Sequence, residues 1–151
     1  MALRDAVADT ARHPRDGAPA WPDGVPVHML TVPGGVGAPA AARLAARGLL
    51  QFHLPPRAQA DATLLISELV ANAVMHGGAR ENADRICIHL AFRAPRAVVE
   101  ICDSGPGFKA PSAPEARPEG GGMGLMLLHT LSSAWGVNFR DGARVWFEMA
   151  H

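Results

Sequence analysis

At 151 residues the chain has the length of one domain, and a hydrophobic fraction of 48% is enough to build a core. A formal net charge of +0 with no long charge run offers no basic face, so direct nucleic-acid binding is not expected. No apolar run reaches the roughly 18 residues that a membrane span needs, so no membrane segment is expected.

The opening residues lack a continuous apolar stretch, so no signal peptide is expected. The only two cysteines, Cys87 and Cys102, fall in separate predicted strands without metal-ligand spacing. They read as free buried thiols in a reducing, cytoplasmic setting.

Residues 1–24 mix charged residues with Ala, Pro and Gly and hold no helical or strand period, so they read as a flexible tail. Val25 to Val32 reads as a strand, with Pro26 placing it at an edge. Pro33-Gly34-Gly35 is a break. Ala38 to Phe52 reads as a helix with Pro39 in its first turn. After Pro55-Pro56 a second helix runs to the Gly77-Gly78 stop, with Ala62, Leu65, Ile66, Leu69, Val70 and Ala73 at core spacing.

Arg85 to Arg93 alternates apolar and polar residues as a half-buried strand, and Ala97 to Asp103 is its partner. A proline-rich stretch leads to Gly120–Gly124 and an apolar helix, Leu125 to Leu131. Val137 to Arg140 and Ala143 to Met149 are closing strands around an Asp141-Gly142 hairpin turn. Strands with few helical crossovers predict an α/β (α+β) two-layer sandwich, a mixed, largely antiparallel sheet with helices on one face.

Three places carry candidate chemistry. Glu68, Asn72 and His76 stand four apart on the second helix, on the side away from its core residues. A carboxylate there can accept a proton, and an amide oxygen one turn on can ligate a hard cation such as Mg2+. A solvated helix face explains the same pattern. His76 suits either a polarising role or a helix cap.

Asp103 ends a strand on the apolar face of Val99 and Ile101, where a buried carboxylate needs donors. An exocyclic amine such as adenine's would serve, and so would backbone amides of the following turn. Gly105 and Gly107 allow close backbone approach of a flat ligand, or form an ordinary loop. Gly120–Gly124 running into a helix offers N–H groups to a phosphate, or serves as a hinge. No Gly-Lys-Ser/Thr triplet is present, and no strand directly precedes the glycines, which excludes the two common phosphate-loop classes.

Glu68-Leu69-Val70-Ala71-Asn72-Ala73-Val74-Met75-His76 resembles the N box of the ATPase superfamily that includes gyrase, heat-shock chaperones, histidine kinases and mismatch-repair proteins. Asp103-Ser104-Gly105-Pro106-Gly107 resembles its first glycine box, and Gly122-Met123-Gly124-Leu125 its second. Within the superfamily the chain resembles the stand-alone anti-sigma factor serine/threonine kinases, over Val25 to the end. The resemblance implies the Bergerat ATP-binding fold in an ATPase domain over residues 25–151.

It also implies roles. Glu68 is the catalytic base and Asn72 the Mg2+ ligand. His76 completes the N box. Asp103 receives the adenine amine beside Gly105 and Gly107. Gly122, Met123, Gly124 and Leu125 hold phosphates, and residues 111–121 form a lid. Relatives often carry a threonine near the adenine on the last strand. Arg144 takes that place here, which implies a weaker adenine contact.

The resemblance implies an ATP- and Mg2+-dependent kinase acting on an anti-anti-sigma partner, with a sigma factor as a further partner and a homodimer as its assembly. The competing expectations are a binding module that uses ATP to set its shape and a detached histidine-kinase catalytic domain. The latter lacks an upstream dimerisation helix in these 151 residues.

Overall fold

A central strand buried on both faces organises the fold, and its sequence, Arg96-Ala97-Val98-Val99-Glu100-Ile101-Cys102-Asp103, is accordingly almost continuously apolar. The computed structural model describes residues 14–76, 79, 81, 84–103, 123–138 and 142–151, with backbone alone for 14–16, 123 and 125. In chain order the elements are β1 (Pro14–Asp16), β2 (His28–Pro33), α1 (Ala38–Leu50), α2 (Pro56–His76), β3 (Arg85–Arg93), β4 (Arg96–Asp103), α3 (Met123–Leu131), β5 (Ala134–Asn138) and β6 (Ala143–Ala150).

The strands form one six-stranded sheet in the order β1-β5-β6-β4-β3-β2. Every pair is antiparallel except β1 with β5, which is parallel. The expected mixed, largely antiparallel sheet is therefore present. Its β3–β4 hairpin turns through a cis Ala94-Pro95 bond.

The helices cover one face. Ile86, Ile88 and Leu90 of β3, Ala97, Val99 and Ile101 of β4, and Phe147 and Met149 of β6 share a core with Leu50, Leu65, Ile66, Val70 and Leu128. Burying each large apolar side chain contributes about 1.5–3 kcal/mol. All six core positions expected on the second helix are buried. In α1, Ala38, Ala42, Ala46 and Leu50 recur every four residues and are buried, so small side chains let the helix lie close. Arg43 Nη1 donates to Ser67 Oγ at 2.7 Å and ties α1 to α2.

The back face is closed differently. Ala91, Val98 and Trp146 are buried yet stand outside the helix-side core. β1 and β2 lie at opposite edges, so residues 17–27 must cross between them. Trp146 Nε1 donates to the Gly17 carbonyl at 2.9 Å, Arg96 Nη2 to Ala20 at 2.8 Å, and Arg93 to Asp23. These contacts run from β6 through β4 to β3, tracing a strap, with Pro19 and Pro22 buried in it.

Residues 14–24 thus differ from the loose tail expected for residues 1–24. A three-residue strand has no period to read, and its partner β5 lies near the other end of the chain. β5 also begins at Ala134 rather than Val137, because the Trp135-Gly136 pair interrupts alternation.

Candidate functional site

The end of α2 is fastened to one end of the sheet by main-chain bonds. Ala79 N–H donates to Ala73 at 3.3 Å, Gly35 N–H to Ala79 at 2.9 Å, and Gly34 N–H to Asp84 at 2.9 Å. A Cβ on Gly34 would stand 2.5 Å from the Glu81 carbonyl oxygen, so only glycine allows this approach. The Pro33-Gly34-Gly35 triplet reads in sequence as a mere break; its glycines in fact seat the chain leaving the helix. Pro33 pairs with Arg85 and Ile86 with Asp103, so Asp103 lies at this same end.

Asp103 is the last residue of β4, 4% exposed, between Ile86 of β3 and Ala143 of β6. It shares the helix-facing side with Val99 and Ile101, as the period of two requires. Glu68 and Asn72 are half-buried on α2, and His76, the last residue of that helix, is exposed.

Asn72 meets α3 directly. Its Nδ2 lies 2.6 Å from where a Cβ on Gly124 would stand, while its Oδ1 lies 3.9 Å away. The amide nitrogen is turned toward the glycine and the oxygen away from it. Gly124 is buried in the first turn of α3, between Met123 and Leu125. The first N–H groups of a helix have no intrahelical acceptor and favour anions. Two of the three sequence motifs therefore touch. Gly105, Gly107, Gly122 and the expected lid, residues 111–121, lie outside the described residues.

Arg144 corrects an expectation. It pairs with Cys102, whereas Asp103 pairs with Ala143. Alternation along β6 sends the Arg144 side chain to the back face, where Nη1 donates to Glu100 Oε1 at 3.0 Å. The last-strand residues on the Asp103 side are Ala143 and Val145, so Arg144 does not take a place near an adenine held by Asp103. A one-residue offset in register separates the two placements.

A histidine kinase-like ATPase domain profile matches residues 32–149. Among solved structures, the RsbU and RsbW domains of Rv1364c from Mycobacterium tuberculosis superpose with a TM-score of 0.58 at 20% identity. The match covers 83% of this chain and 32% of that one, so the chain spans about a third of the matched chain and shares the fold of the part it covers. A search of curated proteins finds no match. No helix among the described residues is long and apolar enough to cross a membrane. With the profile extending over most of its length, the chain belongs to the histidine kinase-like ATPase domain family.

Proposed function

We propose that the chain is an ATP-binding regulatory protein kinase of the anti-sigma type, which transfers the terminal phosphoryl of ATP to a serine or threonine of an anti-anti-sigma partner. The contact of Asn72 with Gly124 carries this reading, because it joins the helix bearing a candidate base to a helix start suited to phosphate. Family membership supports the ATP-using part, and the RsbW domain in the similar structure supports the class of partner.

The residues present fit the ligand. Asp103 offers a buried carboxylate to an exocyclic amine on the helix side of the sheet. Asn72 presents Oδ1 away from Gly124, free in direction to ligate Mg2+. Backbone N–H groups of Gly124 and Leu125 would donate to phosphate oxygens. Glu68, one turn before Asn72 on the same helix, takes the proton of the acceptor hydroxyl. When bound, Mg2+ neutralises charge on the phosphate oxygens. His76, Gly105, Gly107, Gly122 and Met123 complete the nucleotide contacts, residues 25–151 form the ATPase domain, and a homodimer is the working assembly.

The test is transfer of label from ATP to candidate anti-anti-sigma partners by the parent and by Glu68→Gln. The variant is expected to bind ATP with parental affinity in calorimetry and to transfer none. Equal transfer rates would remove Glu68 from the mechanism. Tight ATP-dependent partner binding without transfer in the parent would instead make the chain a nucleotide-dependent binding module.

A further inference from the structure

Beyond the strap, the back face of β3, β4 and β6 carries a polar cluster that nucleotide chemistry does not use. The register sets Cys87 opposite Cys102 and His89 opposite Glu100. Two x-skip-x pairs on adjacent strands thus put four donors at the corners of one rectangle on one face. Sequence spacing hides this, since the two halves lie on different strands.

Three corners are already drawn together. His89 Nδ1 is 3.2 Å from Glu100 Oε1. Cys102 Sγ is 3.7 Å from His89 Nδ1 and 3.4 Å from Glu100 Oε1. All three donor atoms lie within 4.8 Å of one another. Ligand atoms of a tetrahedral Zn2+ shell sit roughly 3.3–3.8 Å apart for bonds of 2.0–2.3 Å, so these separations match the edges of such a shell. Cys87 is free and half-buried, its Sγ 4.0 Å from Thr31 Oγ1 on the far side.

The cluster already holds a cation. Arg144 Nη1 lies 3.0 Å from Glu100 Oε1 and 3.4 Å from Cys102 Sγ, facing both donors. The Glu100 side chain is 5% exposed, so its charge needs a partner, whereas the Arg144 side chain is 33% exposed and can swing into water.

We propose that His89, Glu100 and Cys102 form a binding site for a thiophilic divalent cation of the Zn2+ class, with Cys87 turning in as the fourth ligand and Arg144 leaving. Each ligating thiol releases its proton to water as its sulfur–metal bond forms, and the guanidinium takes its charge into solvent. The donor set of two sulfurs, an imidazole and a carboxylate selects Zn2+ or Co2+ over Mg2+. The site occupies the opposite sheet face from Asp103, so it is separate from the nucleotide pocket.

Co2+ titration of the full chain under anaerobic, thiol-free reducing conditions tests this. One equivalent should produce thiolate-to-cobalt charge-transfer absorption that Zn2+ abolishes. Cation bound at Asn72 would give no such band. Cys102→Ser should weaken the band, Cys87→Ser with Cys102→Ser should abolish it, and His89→Gln should weaken uptake by at least the roughly 10–100-fold that loss of an outer-shell partner costs. Arg144→Gln, which removes the competing charge, should tighten uptake. The proposal is overturned if the parent and Arg144→Gln both lack the band, if Cys102→Ser keeps it at parental intensity, if it persists in the double cysteine variant, or if His89→Gln binds as the parent does.

Discussion

Asn72 and Gly124 stand so close that a single methyl group on the glycine would overlap the amide nitrogen, at 2.6 Å. Gly124→Ala therefore has two opposed effects. Alanine gains helix propensity, worth up to about 1 kcal/mol, but overpacking against Asn72 costs about 1–3 kcal/mol. We expect net destabilisation in urea unfolding. Adding Asn72→Ala removes the obstacle, so the double variant should be more stable than the sum of the single changes predicts. Strict additivity would show that the two side chains do not meet.

Asp103→Asn replaces an acceptor-only group with one that presents donors as well. ATP affinity should fall about 10-fold or more, the scale of a lost charged hydrogen bond, and GTP affinity should fall less. Calorimetric titration with each nucleotide measures both. An unchanged ATP affinity would count against adenine recognition by this carboxylate.

The strap rests on Arg96, which binds Glu148 through Nε at 2.7 Å and Nη2 at 2.8 Å and also donates to Ala20. The hydrogen bond to Glu148 raises the Arg96 pKa above its ordinary value, so the charge persists across all practical pH. Arg96→Lys cannot reproduce the fork and should cost about 1 kcal/mol, discounted for partial exposure. Limited proteolysis within residues 17–24 should accelerate in this variant and in Trp146→Phe, which removes the bond to Gly17. Cleavage at the parental rate would mean that the strap is held by packing alone.

Burial, and then the charge of Glu100, push the Cys102 thiol up to about 12 from the ordinary 9.0, against a smaller lowering by Arg144. A folded-state value above the unfolded one means the native state retains the proton longer. The contribution is complete below 9.0 and is lost as pH rises toward about 12. Stability of the metal-free chain should fall over that interval, and Cys102→Ser should fall less steeply. Below it, iodoacetamide should label the half-buried Cys87 well before Cys102. Parallel alkaline slopes in parent and variant would remove Cys102 as the source.

Much of this protein was legible from local pattern. The core stripe Ala62, Leu65, Ile66, Leu69, Val70 and Ala73, the alternation of β3, and the glycine and proline breaks are set by neighbours within a few residues, so periodicity alone places them. The three motifs, and with them the family, are likewise local strings. What periodicity cannot carry is register. Whether Arg144 stands beside Cys102 or Asp103 depends on which residues of two distant strands pair, and a shift of one reverses its face. The strap depends on β1 and β2 lying at opposite edges, and the four-donor cluster on two strands aligning Cys87 with Cys102. Those outcomes were decided when the sheet assembled, because only long-range pairing brings such residues within reach.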